Sequence, residues 1–120
     1  MQTERISRRE REYLAHRGEI LSAAEKVFAA KGFFPTTMSD IARKAEFGTG
    51  TLYKYFKSKE ELYFTLIDEK VEEINRLVKT ELSQKDSAVE RIKKVVRLQF
   101  EFIERNRDFF RIYVSERSRF

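Results

Sequence analysis

TTMSDIARKAEFGTGTLYKYFKSK, residues 36–59, reads as a short helix, a tight turn, a second short helix and the capped start of a third. Thr37 is a good N-cap, and the side chain of Asp40, three residues on, can reach back toward it in a variant of the capping box. Ile41, Ala42 and Ala45 share one apolar face at helical spacing. Glu46-Phe47-Gly48 breaks that run, and Phe47 is apolar enough to fill the space between two crossing helices. The next helix, Thr49 to Phe56, is too short to stand alone, so neighbours must hold it.

At about 100° per residue, Leu52 and Phe56 point one way and form the buried side of this second helix. Lys54 points almost directly away, with Gly50 and Thr51 nearby and Tyr53 and Tyr55 on the flanks. The outward face is therefore small, hydroxylated and basic, and Gly50 lets another backbone come close. Such a face suits the major groove of a duplex, where hydroxyls, a phenol or an ammonium meet base edges and phosphates. The same spacing also describes a solvated helix in an ordinary bundle.

Three runs carry a resemblance: ILSAAEKVFAAKGF from Ile20, TTMSDIARKA from Thr36, and GTLYKYFKSKEEL from Gly50. Together they resemble the N-terminal DNA-binding domain of the TetR (tetracycline repressor) family of bacterial transcriptional regulators, over about two-fifths of the chain. One position departs from the family pattern. Where the family has glycine in the turn, this chain has Glu46, so Gly48 is expected to supply the positive φ one step later.

The resemblance implies that Thr37, Thr49, Gly50, Thr51, Tyr53, Lys54, Tyr55 and Lys59 face DNA. Thr49, Thr51 and Lys54 are assigned mainly to bases, and Thr37, Tyr53, Tyr55 and Lys59 mainly to phosphates. Lys59 lies in the first turn of a helix, beside free backbone N–H groups, where a phosphate is well placed.

Composition agrees with a helical chain. The 120 residues are 41% hydrophobic and include one proline and four glycines. There is no cysteine, which excludes disulfides, thiolate catalysis and cysteine metal sites. No apolar run reaches membrane-spanning length, and the charged start from Gln2 to Arg11 lacks a signal peptide's apolar segment, so a cytoplasmic chain is expected. With a single isolated histidine, His16, read as a surface residue, and no phosphate-binding glycine loop, neither an enzyme nor a cofactor is expected. Net charge is +5, and residues 1–60 hold 12 Lys/Arg against 8 Asp/Glu. Arg43, Lys44, Lys54, Lys57 and Lys59 concentrate the excess where a polyanion would lie.

Outside the central stretch, Ile20, Leu21, Ala24, Val27 and Phe28 mark a first amphipathic helix that stops at Lys31-Gly32. Arg5, Arg8, Arg9 and Arg11 precede it, interleaved with Glu4, Glu10 and Glu12: either an arm or helix extension that touches DNA, or a solvated, frayed terminus. One of Phe33 and Phe34 is expected to close a small three-helix core. Ser58 and Glu61 form a capping box for a long connecting helix carrying Leu62, Leu66, Ile67, Val71, Ile74, Leu77 and Val78. Its carboxylates Asp68, Glu69, Glu72 and Glu73 alternate with cations and read as a solvated face.

Ser87 and Glu90 cap another helix with Val89, Ile92, Val96, Phe100 and Ile103 as its expected core face, and Asn106 caps a last one. Phe100, Phe102, Phe109, Phe110 and Tyr113 crowd this end. They are read first as core, and alternatively as the wall of an apolar effector pocket, which is where the resemblance implies one.

The expected fold is all-α, with a helix-turn-helix head at residues 1–57 and, at 58–120, a connecting helix leading into part of an effector-binding and dimerisation domain. The last residues, Ser118 to Phe120, show no helix end, so the second domain is expected to be incomplete. The expected function is a transcriptional regulator, most often a repressor in this family, that binds a palindromic operator as a homodimer and releases it on taking up an apolar or aromatic small molecule. No membrane partner is expected. A helical protein-interaction module is the competing reading.

Overall fold

A computed structural model of the chain describes residues 5–82 and 84–116. The expectations for Glu4 and the residues before it, and for Ser118 to Phe120, lie outside them. Six helices follow in order: α1 Arg8–Lys31, α2 Met38–Ala45, α3 Thr49–Tyr55, α4 Lys59–Glu81, α5 Ala88–Arg105 and α6 Arg107–Glu116. There is no strand among the described residues, and the class is all-α as expected. Packing separates two units, Met1–Tyr63 and Phe64–Phe120. The division falls inside α4 rather than at 57/58, because Leu62 and Tyr63, in the first turn of α4, are buried with the head.

In the first unit, α1 begins well before its first buried residue. Ser7 caps it, accepting from the Glu10 N–H at 3.1 Å, so the arginine-rich stretch from Arg8 is an extension of the helix. Arg8 pairs with Glu12 at 3.1 Å on the exposed surface. Gly32, at φ 89°, ends the helix by donating to the Phe28 carbonyl at 2.8 Å. Ile20, Leu21, Ala24 and Phe28 of α1 are buried, as are Ile41 and Ala42 of α2 and Leu52 of α3. Phe33 closes this core, its ring 5.4 Å from those of both Phe28 and Tyr63, while Phe34 stays half exposed.

The capping box of α2 is present in both directions, Thr37 accepting from the Asp40 N–H and Asp40 from the Thr37 N–H. Asp40 Oδ2 also lies 2.7 Å from the Lys31 ammonium. The Lys31 hydrogen bond and then the Thr37 N–H pull its carboxyl from 3.8 down to about 2. A depressed folded-state pKa stabilises fully above the unfolded value and loses that contribution as pH falls through the folded one. The melting temperature of the chain should therefore drop between about pH 4 and 2, and Asp40→Asn should flatten that part of the curve. An unchanged slope in the variant would remove Asp40 from the acid response.

The turn after α2 differs from expectation. Gly48 has φ −67°, and the left-handed residue is Glu46, at φ 62° and ψ 37°. The bonding explains why: Phe47 N–H donates to Ala42 O at 2.9 Å and Glu46 N–H to Arg43 O at 3.2 Å. That is the Schellman pattern, which requires the left-handed conformation at the Glu46 position. A side chain there is strained, so Glu46→Gly should stabilise the chain by about 1 kcal/mol. Thermal unfolding checks it, and a lower melting temperature in the variant would contradict the strain.

In the second unit, Ser87 and Glu90 complete the expected box at the start of α5. At α4, Ser58 Oγ accepts from the Glu61 N–H, but the Glu61 carboxylate accepts from Lys57 rather than from Ser58, at 2.7 Å. The larger correction concerns α5. Val89, Ile92, Val96, Phe100 and Ile103, expected as core, are between 43% and 67% exposed. The buried residues are Leu98 and Phe102, roughly half a turn round the helix from that stripe. The helix is apolar on two faces, and the described residues cover only one.

Candidate functional site

The helix α3 has seven residues and no side-chain cap at its start. It persists because Leu52 is fully buried and the Phe56 ring at its end is nearly so, with the Arg17 guanidinium 5.5 Å from that ring's centroid. This anchoring leaves Thr49, Gly50, Tyr53 and Lys54 exposed and Thr51 half-buried. A Cβ at Gly50 meets nothing within 4 Å, so its lack of a side chain keeps the outer surface low rather than relieving a clash inside. Thr37 is exposed one helix earlier, and Arg43, Lys44 and Lys57 are exposed as well.

Two of the proposed DNA-facing residues are engaged within the head. The Tyr55 ring stacks on Tyr13 of α1 at 4.8 Å, and its hydroxyl oxygen lies 3.1 Å from His16 Nδ1. His16 also meets the Phe47 ring edge-on at 5.2 Å. His16 is therefore not an isolated surface residue; it is half-buried and partnered. Tyr13 and His16 were missed, although a signal exists. They precede Ile20 by seven and four positions, so they extend the helical stripe of α1 backward by two turns.

Lys59 is the second case. Its ammonium donates to the carbonyls of Phe33, Phe34 and Thr36 at 2.9, 2.9 and 3.0 Å and sits 4.5 Å from the centroid of the Phe33 ring. An ammonium has three hydrogens, and all three are taken by this loop. The expectation set Lys59 beside a phosphate; in this structure its ammonium is held by the loop between α1 and α2.

The second unit contains a cavity of about 310 Å³. Ile67, Lys70, Val71 and Ile74 of α4 line one side, and Phe102, Phe109, Phe110 and Tyr113 line the other. Rings of Phe109 and Phe110 meet edge-on at 5.3 Å, and Phe109 stacks with Tyr113 at 6.4 Å. Phe100, the fifth aromatic expected here, is on the exposed stripe of α5 and does not line the cavity. Lys70, whose role the sequence did not reveal, donates to Asn106 Oδ1 at 2.5 Å. No helix of the described residues is long and apolar enough to cross a membrane.

Comparison with known proteins agrees with this geometry. Residues 20–66 match the model of bacterial regulatory proteins of the tetR family. The chain is 31% identical over 85 residues to the fatty acid metabolism regulator protein of Bacillus subtilis, covering 71% of this chain and 44% of that one. It is 32% identical over 105 residues to the transcriptional activator FasR of Mycolicibacterium smegmatis, covering 83% and 48% respectively. The structure of the ketosteroid transcriptional regulator KstR2 of Mycobacterium tuberculosis superposes with a TM-score of 0.77 at 32% identity, over 86% of this chain and 53% of that one. The chain thus spans about half the length of these relatives. In both its helix-turn-helix head and the helices that follow, the chain belongs to the TetR family of bacterial regulatory proteins.

Proposed function

We propose that the chain is a ligand-responsive transcriptional regulator of the cytoplasm whose helix α3 reads the major groove of a palindromic operator. The observation that carries this reading is the anchored short helix: buried Leu52 and Phe56 hold it from behind and leave Thr49, Gly50, Tyr53 and Lys54 exposed in front. Thr49, Thr51 and Lys54 meet base edges, and Thr37 and Tyr53 meet phosphates. Lys59 and Tyr55 act one step back, fixing the loop and the end of α3. A homodimer places two such helices about 34–36 Å apart, one turn of DNA. The aromatic cavity takes an apolar effector, in keeping with relatives named for fatty acids and a ketosteroid. The effector acts by population shift, and α4 is the element that couples the sites, since it supplies Leu62 and Tyr63 to the head's core and Ile67 and Lys70 to the cavity. Repression is the family's usual sign, though one relative is named as an activator.

Binding of the purified chain to random and operator duplexes, followed by sedimentation at rising salt, tests the reading. Affinity should fall with log[salt] by about 0.9 per phosphate neutralised. Lys54→Ala should lower the preference for operator over random duplex by about 1–3 kcal/mol without a change in melting temperature. The second reading, a helical interaction module, is favoured by the exposed stripe of α5. Absence of binding at low salt would decide for it.

A further inference from the structure

We infer that His16 is a positioning residue of the reading helix: its imidazole spans α3 from the turn before it to its last residue and fixes how that helix is presented to DNA. The inference rests on the reading of α3 as the DNA-reading element. It assigns the role to a side chain of α1, outside the helix-turn-helix.

Leu52 and Phe56, the buried anchors of α3, lie four positions apart on one side of it. Two anchors on one line hold a helix down but let it rock about that line. The start of α3 adds no side-chain restraint, because Gly48 is its N-cap residue. Rocking sweeps Thr49 and Lys54 across the bases, and a binding constellation tolerates displacements of only about 0.5 Å. Sequence-selective reading therefore needs a restraint away from the Leu52–Phe56 line.

His16 supplies that restraint at both ends of the helix. With seven residues, α3 is roughly 10 Å long. The His16 ring lies 5.2 Å from the ring of Phe47, just before the helix, and 6.3 Å from that of Tyr55, its last residue. Both contacts are edge-to-face, and all three residues are half-buried. At the Tyr55 end the contact is also polar, with Nδ1 3.1 Å from the phenol oxygen. Ring packing alone allows sliding, whereas a hydrogen bond fixes direction as well as distance. The Tyr55 ring is stacked on Tyr13 too, at 4.8 Å, so two side chains of α1 about one turn apart grip the end of α3.

Variants at one atom separate this role from plain packing. Asparagine carries a polar atom two bonds from Cβ, where Nδ1 stands, and can donate or accept there; glutamine carries its polar atoms one bond further out. The probe is a duplex enriched from a random-sequence pool by the unaltered full chain, with the unselected pool as reference. His16→Asn should keep most of the preference for the enriched duplex, and His16→Gln and His16→Phe should each lose about tenfold of it. Tyr55→Phe, which keeps the ring on Tyr13, should lose the same tenfold and serves if the variants at 16 do not fold. The double variant His16→Phe with Tyr55→Phe should lose no more than either alone. In the free chain, NMR should show the Phe47, Thr49 and Tyr55 amides shifted in His16→Phe and the His16 Nδ1 signal shifted in Tyr55→Phe. Equal preference in the asparagine, glutamine and phenylalanine variants, or additive losses in the double variant, would overturn the role of His16. Unmoved amides in His16→Phe, with a duplex still enriched by the unaltered chain, would overturn it as well and leave the reading of α3 standing. Failure of the unaltered chain to enrich any duplex would remove that reading and the inference with it.

Discussion

Lys59→Met should lower the melting temperature of the chain by on the order of 10 °C and leave the salt slope of DNA binding unchanged. The Lys59 ammonium joins three carbonyls of the loop between α1 and α2, and two of those belong to the buried residues Phe33 and Thr36. Hydrogen bonds to a charged donor contribute about 1.5–3 kcal/mol each, but they share one ammonium whose desolvation offsets part of the gain. A net loss of about 2–4 kcal/mol is expected, and a kilocalorie moves the midpoint of a domain this size by about 4–8 °C. If Lys59 neutralised a phosphate instead, the slope of log K against log[salt] would fall by about 0.9 and stability would barely change. Thermal melts and a salt titration on the same variant separate the two. A slope reduced at unchanged stability would return Lys59 to the DNA face.

Leu52→Ala should abolish operator binding although Leu52 is buried behind the proposed reading face of α3. The side chain is fully buried, and truncation of a leucine in such a site destabilises by about 2–5 kcal/mol. Seven residues are too few to hold a helix unaided, so α3 loses its place before the rest of the head unfolds. Local loosening appears as faster amide exchange across Thr49–Tyr55, and affinity falls with it. Operator affinity equal to that of the unaltered chain would show that packing behind α3 does not govern its reading face. The contrast with Lys54→Ala is informative: one substitution removes the support and the other removes a contact.

Local rules were enough for much of this fold. Thr37 with Asp40 and Ser87 with Glu90 are complete capping boxes, and Gly32 ends α1, each fixed by residues within a single turn. Leu52 and Phe56 were legible as the buried side of α3 because a short amphipathic helix has only one way to face a core. Longer-range features were not legible. Nothing near Lys59 indicates that carbonyls 23 to 26 residues earlier will surround it. The pairing of His16 with Tyr55 spans 39 positions, and the sequence shows only the stripe that makes it possible. Glu46 takes the left-handed turn position because the hydrogen-bond pattern fixes the site, whatever residue occupies it. The α5 stripe misled for a different reason. Periodicity identifies an apolar face but not whether a neighbour covers it.

A second copy of the chain that covered that stripe would make stability depend on how much of the chain is in solution. Any surface that covers Val89, Ile92, Val96, Phe100 and Ile103 binds the folded chain and not the unfolded one, so mass action raises the apparent melting temperature with concentration. Each such side chain adds at most about 1.5–3 kcal/mol when wholly covered, and here each is already partly sheltered. The driving force is hydrophobic and weakens on cooling, so cold, dilute solution reports the intrinsic stability of the folded chain. A melting curve taken at a single warm, concentrated condition measures the protein together with its company.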